Sequence, residues 1–431
     1  MSERKQAERR VGFAKLWARA KQIVTTDPSS SDDDDAVVDE EAARVLAAQA
    51  GRLKGGLAKV AQLAAYDPGA AVRGRALLGT LWDRAPSVAA GAIEEVVEAE
   101  LGARPATLFA SWDPAPLAAA SLGQVHAATL HDGTSVVVKV QYPGVADALR
   151  ADLDDGAFLR KLAGSQVGRS LDDDALEALA DAVRGELDYR AEADALTRFA
   201  AAWAGHAVLR FPRVIADRSS GRVLTMTRAP GRTIVETASH ASSDVRRVAS
   251  LAIFELAWGS PLAHRLVNAD PNPGNFLVDD SADGVHVWCL DFGCTLTLSD
   301  RVHSADLAIW QALLDDDPLS AAERFRMGLA AAGLLRRADS LASASHREWE
   351  RLLAAPVSTL GDFHWTSAYA HDLAAATGRV LASGGMSLPA PLLLLWRQRL
   401  GAASVLGMLD SHAPFRRALV SLVGTGKRAL R

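Results

Sequence analysis

The sequence is poor in cysteine, in long apolar runs and in excess positive charge, and each shortage excludes a class of protein. The two cysteines, Cys289 and Cys294, cannot form a disulfide framework, so we expect both of them to be small core residues. No apolar run approaches the roughly 18 residues of a membrane span, and the amino terminus lacks a signal-peptide core. We therefore expect a cytoplasmic protein. The formal net charge of −5 argues against a nucleic-acid binder, which carries a basic excess.

The first 36 residues differ in composition from the rest of the chain. Residues 1–24 mix seven basic side chains with apolar ones at roughly helical spacing. Such a helix can lie on an anionic membrane surface as a peripheral contact, and the same pattern also suits a solvated tail. Residues 28–35 include four consecutive aspartates, which is typical of a disordered acidic linker.

One stretch has the residues of the metal-and-base half of a phosphoryl-transfer site. Asp270 is followed five positions later by Asn275, and Asp291 then ends a second apolar run as part of Asp-Phe-Gly. Mg²⁺ prefers oxygen ligands such as Asn275 and Asp291, while a separate acid, Asp270, orients the acceptor or a water. The alternative is an Asx/Pro/Gly turn between two strands.

A lysine upstream supplies the phosphate-binding half. Asp132-Gly133 separates two alternating apolar runs and predicts a hairpin. On its second strand Lys139 shares a face with Val137. Because an unpaired buried ammonium is costly, Lys139 needs an anionic partner, such as a nucleotide phosphate and a carboxylate. The alternative is an edge-strand lysine that faces solvent.

In this order the motifs resemble the UbiB family of protein-kinase-like atypical kinases, which includes ADCK and Coq-type proteins linked to ubiquinone biosynthesis. The resemblance covers about residues 50 to 300 and is carried by the stretches 118–126, 138–144, 186–193, 270–275 and 290–293. It implies an α+β, protein-kinase-like fold with a small β-rich N-lobe, a helical C-lobe and an N-terminal helical extension. The predicted domains are a tail (1–36), a helical extension (37–106), an N-lobe with inserted helices (107–230) and a helical C-lobe (231–431).

The resemblance also implies ATP or ADP with Mg²⁺ as ligands, and a role for each matching residue. Asp270 is the base, Lys139 contacts the phosphates, and Glu192 is the partner of Lys139, although Glu186 could exchange with it. The implied nucleotide-site residues are Lys59, Gln62, Ala118, Ala119, Ala120, Ser121, Val137, Lys139, Glu186, Asp188 and Met226. Within this set Lys59 and Gln62 form the Lys-x-Ala-Gln motif of the extension, and Met226 opens the hinge.

The chain departs from the family pattern at several of these positions. Asn268 and Asn272 stand where the family has histidine, neither of which is a metal ligand in this interpretation. Val137 replaces an alanine expected against the adenine, which would weaken ATP binding by roughly 1–3 kcal/mol if nothing relaxes. The phosphate loop, residues 118–121, is rich in alanine instead of glycine and offers fewer close backbone N–H groups.

Three functions remain open at this point. The first is an ATP-dependent atypical kinase or ATPase, linked through the resemblance to isoprenoid-quinone or other lipid metabolism, with a lipid or quinone precursor as a possible ligand. The second is a small-molecule phosphotransferase of the choline- or aminoglycoside-kinase type. The third is a non-catalytic, nucleotide-responsive scaffold. The sequence further predicts a helix from an N-cap at Ser87 to about Gly102. It also predicts a second hairpin, formed by residues 208–215 and 222–226, and a helical carboxy-terminal part with loops at 361–366 and 383–391.

Overall fold

The computed structural model describes residues 89–120, 122–154, 173–335 and 343–426. The predicted tail, Lys59, Gln62 and Ser121 therefore lie outside the described residues. The described chain forms two contact units. We call them the strand unit (89–154, 187–190 and 215–228) and the helical unit (173–186, 191–214 and 229–426). The domain limits predicted at residues 36, 106 and 230 stay a prediction.

An antiparallel sheet forms the centre of the strand unit. Its strands, in the spatial order β1-β2-β3-β5, are β1 (Ser111–Ala120), β2 (Gly123–Thr129), β3 (Ser135–Gln141) and β5 (Val223–Thr227). The predicted hairpin is confirmed, because β2 pairs with β3 and Gly133 takes a positive φ of 87° in the turn. Strand β1 is irregular at Pro116, which has no N–H to donate and suits an edge strand.

Two helices cover one face of this sheet, α1 (Ala90–Leu101) and α2 (Pro105–Leu108). Ile93 and Val97 of α1 are fully buried, as are Val136, Val138 and Val140 of β3. The alternation along β3 places these valines on one face and Lys139 on the other, as the sequence predicts. Helix α1 ends at Gly102 in the left-handed region, the predicted end of this helix.

A second sheet, in the helical unit, has the order β4-β9-β8-β6. Its strands are β4 (Leu209–Arg210), β6 (Arg232–Thr233), β8 (Phe276–Ser281) and β9 (Gly284–Cys289), and a separate pair joins β7 (Leu266–Asn268) to β10 (Thr295–Thr297). The predicted hairpin of residues 208–215 with 222–226 is wrong over most of its length, and only its inner end is present, where the Ile215 N–H donates to the Thr225 carbonyl at 2.8 Å. Strand β4 runs parallel to β9, and β5 pairs with β3. Pro212 has no N–H for a ladder, so the run from 208 ends after two residues.

Helices make up most of the described part of the helical unit. In chain order the remaining helices are α3 (Val145–Asp154, strand unit), α4 (Asp173–Gly185), α5 (Tyr189–Ala202), α6 (Ile234–His240), α7 (Ser243–Phe254), α8 (Ser260–His264), α9 (Asp300–Leu313), α10 (Pro318–Ala332), α11 (Ala344–Ser358), α12 (Ser367–Ala382), α13 (Ala390–Leu409) and α14 (Phe415–Gly426). A π-helical turn, Glu255–Gly259, joins α7 to α8. No helix in this part of the chain is long and apolar enough to span a bilayer.

The carboxy-terminal part is helical, as predicted, with one addition. The predicted loop at 361–366 contains β11 (Phe363–Trp365), which pairs with β12 (Ser411–Ala413). Trp365 is buried, and its ring lies against Phe254 and Phe415. Burial of Trp365 against these rings holds β11 in place, and the periodicity of the sequence gave no indication of this strand.

Candidate functional site

Lys139 lies in the middle of β3, between Val125 of β2 and Leu224 of β5. Its side chain is buried, with 8% of the residue exposed, so the solvent-facing alternative does not hold. The ammonium lies over the ring of Tyr189, with Nζ 5.0 Å from the ring centroid. A cation–π contact compensates part of the desolvation of the charge within the strand unit.

Val137 and Met226 face each other across the β3–β5 ladder, two residues from Lys139. Ala127 is the partner of Val137 on the other side. Directly paired residues share a sheet face, so all three lie on the face that carries Lys139. Val137 is partly exposed there, at the position where the family resemblance leads us to expect alanine.

The alanine-rich segment is the end of a strand. Ala118, Ala119 and Ala120 pair with Val125, Gln124 and Gly123. A Cβ at Gly123 would collide with the Val140 carbonyl, so glycine is needed where the strand approaches its neighbour. The described part of the segment thus presents a paired backbone, and its role toward phosphate stays a prediction.

In the helical unit, Asp270 follows β7 and is nearly buried, with 7% of the residue exposed. The Asn275 Nδ2 atom donates to the Asp270 carbonyl oxygen at 2.7 Å, which closes the loop between them. The Asn275 carbonyl accepts the Leu290 N–H at 2.9 Å, in line with the β8–β9 ladder. Asn275 therefore lies across from the residue next to Asp291, which brings the two predicted metal ligands together.

The Asp291-Phe292-Gly293 segment forms a fixed turn. Asp291 Oδ1 accepts the Gly293 N–H at 2.9 Å. The Phe292 side chain is buried, with its ring centroid 4.8 Å from that of Phe199 and 5.8 Å from that of Phe211. Aromatic packing on one side of the turn holds Asp291 in place on the other.

Asn268 connects the loop of the predicted base Asp270, residues 268–275, which we call the catalytic loop, to this turn. Its Nδ2 atom donates to the Asp291 carbonyl oxygen at 2.8 Å. The family has histidine at this position, and a side-chain amide can make the same kind of donor contact. The departure therefore preserves a link between the loop and the turn.

Both predicted glutamates lie at the same turn. A Cβ built on Gly293 would lie 3.5 Å from Glu186 Cγ, 3.7 Å from Glu192 Oε2 and 3.3 Å from Asp291 Oδ1. Glu186 and Glu192 are buried. Since both approach Gly293, their positions leave the choice of partner for Lys139 open. Asp188 is exposed and accepts the Arg190 N–H at 3.0 Å near the start of α5, and its place in the nucleotide site stays a prediction.

The donor set fits Mg²⁺ on chemical grounds. The Asn275 amide nitrogen is used by the Asp270 carbonyl, which leaves the amide oxygen as the coordinating atom. One carboxylate and one amide oxygen suit an ion that completes its shell with phosphate oxygens and water. Within the described ranges, no group of three or more His, Cys, Asp or Glu residues could hold a metal by itself. A site of this kind depends on the nucleotide for its remaining ligands.

The two cysteines beside this turn are buried free thiols. Burial raises the pKa of Cys289 far above its ordinary value, so the thiol stays protonated. Their expected role as core residues is confirmed.

Sequence reasoning missed three side chains that contact the predicted residues. Tyr189 lies against Lys139, and Arg397 and Gln398 of α13 contact the catalytic loop. Tyr189 lies within the stretch 186–193 that carries the family resemblance. Arg397 and Gln398 could have been found as a charged and a polar residue directly after the apolar run 392–396. They lie on a helix that buries most of its surface, and buried polar groups need partners.

The chain is similar to several known proteins. The ABC1 atypical kinase-like domain matches residues 80–325. An uncharacterised protein of Mycobacterium tuberculosis is 31% identical over 355 residues, which are 79% of this chain and 69% of that protein. The mitochondrial atypical kinase COQ8 of Saccharomyces cerevisiae is 35% identical over 206 residues, 47% of this chain and 40% of its own.

A solved structure extends the likeness to almost the whole fold. A Mycobacterium tuberculosis protein in complex with erythromycin is similar at a TM-score of 0.61 and 28% identity, over 90% of this chain and 97% of its own. The predicted α+β, protein-kinase-like fold is confirmed by the family match and by this neighbour. The chain therefore belongs to the ABC1 atypical kinase-like family, the UbiB family of COQ8 and ADCK kinases that its motifs resemble.

Proposed function

We propose that this protein binds Mg–ATP or Mg–ADP and transfers the γ-phosphoryl group of ATP to an acceptor or to water. The observation that carries the proposal is the fixed arrangement of Asp270, Asn275 and Asp291. Asn275 is bonded to the loop of Asp270 and lies across from the residue next to Asp291. An isolated Asx/Pro/Gly turn would not require this set of contacts.

In this proposal Asn275 and Asp291 hold Mg²⁺, which when bound neutralises developing charge on the phosphate oxygens. Asp270 accepts the proton of the acceptor hydroxyl or orients the attacking water. Keeping Asp270 off the metal leaves its carboxylate for this task. The burial of Asp270 excludes bulk water from the proton transfer.

The strand unit provides the proposed nucleotide contacts. Lys139 contacts phosphate oxygens, and Val137 and Met226 lie against the adenine. The alanine-rich segment 118–121, the pair Lys59 and Gln62, and the acids Glu186 and Asp188 keep the roles that the family resemblance implies. Glu192 is the proposed carboxylate partner of Lys139, as in the Lys–Glu pair of protein kinases.

The acceptor class is proposed from the relatives alone. Membership of the COQ8 family favours an isoprenoid-quinone precursor or another lipid. A cytoplasmic location and a peripheral membrane contact through residues 1–24 stay predictions.

A second candidate is the binding, or phosphorylation, of a bulky small molecule. The neighbour solved with erythromycin covers nearly all of the fold and shares 28% identity, which favours a small-molecule ligand. This candidate corresponds to the small-molecule phosphotransferase hypothesis. Non-catalytic scaffolding would show nucleotide binding without turnover.

The test is ADP formation from Mg–ATP by the purified chain, alone and with three acceptor sets: isoprenoid-quinone precursors in vesicles, a macrolide, and choline or an aminoglycoside. We expect ADP formation that stops when EDTA removes Mg²⁺. Stimulation by one acceptor set identifies the substrate class. Mg–nucleotide binding without ADP formation under every condition would contradict catalysis and support the scaffold.

A further inference from the structure

Helix α13 lies beyond the segment matched by the family domain, yet it contacts the catalytic loop at successive points. Arg397 Nη2 donates to Asp270 Oδ1 at 3.0 Å. The two side chains are only 8% and 10% exposed. A buried ion pair of this kind restricts both partners, because separating them would leave a charge desolvated and uncompensated.

The next residue of α13 holds the backbone of the loop. Gln398 Oε1 accepts the Asn268 N–H at 2.5 Å, and Gln398 Nε2 donates to the Ala257 carbonyl at 2.5 Å. Ala257 belongs to the π-helical turn Glu255–Gly259, and such turns are frequent at functional sites. Gln398 thus connects the start of the catalytic loop to the preceding helices.

One turn further along, Gly401 packs directly against the loop. A Cβ at this position would lie 2.5 Å from Pro271 Cγ, so any larger residue would push the loop away. Arg397 and Gly401 are four residues apart and share a helix face. They contact Asp270 and the residue that follows it.

The helix itself is anchored independently of the loop. Arg399 forms a two-point ion pair with Asp306 of α9, at 2.6 and 2.7 Å, and its guanidinium lies 4.9 Å from the Trp310 ring centroid. Both charged side chains are almost fully buried. This pair fixes α13 against α9, which makes α13 a rigid reference for the loop.

We propose that Arg397 is a positioning residue for phosphoryl transfer, and the inference rests on the function proposed above. Its guanidinium holds the Asp270 carboxylate in one orientation through Oδ1, which leaves Oδ2 as the oxygen that meets the acceptor hydroxyl or water. Gln398 fixes the backbone on which Asp270 stands. Arg397 acts through Asp270, so its contribution affects turnover after the nucleotide is bound.

The decisive comparison uses Arg397→Gln, Arg397→Lys and a matched control, Arg379→Gln. Arg379 pairs with Glu348 at 3.0 Å between α12 and α11, with both side chains about half exposed, and it has no contact with the loop. The Arg397 contact is made through one nitrogen, so a lysine can replace it better than at a two-point contact. Steady-state kinetics of ADP formation give kcat and KM for ATP, and hydrogen exchange reports the loop peptide 266–278.

We expect Arg397→Gln to lower kcat about 10- to 100-fold through misorientation of Asp270, with KM for ATP changed less than about two-fold. Arg397→Lys should stay within about five-fold of wild-type kcat. Loop amides should exchange about ten-fold faster in Arg397→Gln than in wild type, relative to peptides of α11 and α12. Arg379→Gln should match wild type in both measurements.

Two kinetic outcomes would overturn the proposal. An unchanged kcat in Arg397→Gln removes the positioning role, and a raised KM with unchanged kcat makes Arg397 a substrate-binding residue instead. Because Arg397→Gln leaves a buried carboxylate without its cation, the double variant with Asp270→Asn separates folding from catalysis. It should regain thermal stability while kcat remains low.

The exchange measurement separates failure of this inference from failure of the proposed function. If the wild type forms no ADP, catalysis is contradicted, but hydrogen exchange of the loop peptide still shows whether Arg397 positions the loop. Faster exchange in Arg397→Gln, together with exchange near the wild-type rate in Arg397→Lys, then supports loop positioning by Arg397. Equal exchange in wild type and Arg397→Gln overturns it regardless of turnover.

Discussion

The two contact units hold their functional residues in different ways. In the strand unit, Lys139, Val137 and Met226 owe their positions to the register of neighbouring strands. In the helical unit, Asp270 is held by Arg397, which lies 127 residues further along the chain. The predicted functional residues of the strand unit are therefore positioned by a local hairpin ladder, and Asp270 of the helical unit by a distant helix.

Because of this difference, we expect substitutions in the two units to have different effects. We expect a change on the strand face of Lys139 to alter the proposed contacts with the nucleotide while leaving the backbone ladder intact. A change at the contact between α13 and the catalytic loop moves the loop itself, because the contact is tight and buried. We expect substitutions in the strand unit to act mainly on affinity, and those in the helical unit mainly on turnover and stability.

The largest expected effect is on turnover, from Asp270→Asn. Loss of a general base lowers kcat by about 10²- to 10⁴-fold. Mg–nucleotide affinity should stay close to wild type, because the proposed metal ligands are Asn275 and Asp291. Kinetics of ADP formation and a binding titration measure both quantities, with the exposed turn residue Asp283→Asn as control. Full activity of Asp270→Asn would remove Asp270 from its assigned role.

The next effect is on affinity, from Lys139→Ala. Removal of the charge proposed to contact phosphate should weaken ATP binding about 10-fold or more, as charged hydrogen bonds contribute roughly 1.5–3 kcal/mol. Calorimetric titration with Mg–ATP measures the change. Arg150→Ala, on the exposed surface of α3, is the control for general loss of positive charge in the strand unit. Equal affinities of Lys139→Ala and wild type would contradict the phosphate contact.

A stability comparison tests the contact between α13 and the loop. Gly401→Ala should destabilise the fold by about 1–3 kcal/mol, because its Cβ meets the stiff Pro271 ring. Gly424→Ala, on α14 with no atom near its Cβ position, should instead stabilise by about 0.5–1 kcal/mol. Denaturant unfolding of both variants gives the difference. The same sign for both would indicate a loose contact.

The substitution Val137→Ala in the strand unit should increase the affinity for ATP. Val137→Ala restores the alanine that the family has against the adenine, and it should tighten ATP binding by up to about 1–3 kcal/mol, with kcat nearly unchanged. The change in Kd from calorimetry is the readout. Weaker binding by the variant would mean that Val137 packs against the base without crowding.

The smallest effect is a pH dependence that belongs to the helical unit. Burial lowers the pKa of His346, whose ring nitrogens have no hydrogen-bond partner among the described residues. The unfolded chain then binds this proton at a higher pH than the folded chain. The contribution of neutral His346 to folding stability is therefore fully present above the unfolded pKa. It is lost as pH falls below that value and through the lower folded pKa.

We expect the Tm to be lower at pH 5.5 than at pH 7.5 on account of His346, and His346→Leu to reduce this difference. Glu350, one turn along α11, has a pKa raised by burial and acts in the opposite direction. The variant comparison, more than the wild-type curve, therefore isolates the histidine. An identical pH dependence in His346→Leu would exclude its contribution.

Sequence reasoning predicted the local half of the architecture well. The Asp-Gly hairpin, the face of Lys139 and the end of α1 at Gly102 follow from alternation and turn chemistry, which act over a few residues. The hairpin predicted for residues 208–215 and 222–226 is absent outside the Ile215–Thr225 bond, because Pro212 ends the ladder and β4 pairs with a strand more than 70 residues away. Parallel pairing leaves little local signature in a two-residue strand.

In the candidate site, too, contacts between distant segments of the chain could not be predicted from the sequence. The stretches around Asp270 and Asp291 are readable because the chemistry requires particular residue types at short spacing. Arg397 and Gln398 were not found, since a helical residue gives no sign of which loop it meets. Their contacts come from packing of α13 against β7 and the π-helical turn, which only the folded chain brings together.

The central claim is that Asn275 and Asp291 hold a Mg–nucleotide. Thermal unfolding of the purified protein with ATP or ADP, with and without Mg²⁺, tests it most directly beside Asp291→Asn. We expect nucleotide to raise the Tm in the presence of Mg²⁺, and the substitution to abolish that increase. An increase that is independent of Mg²⁺ and survives in Asp291→Asn, or no increase in the wild type, would contradict the account.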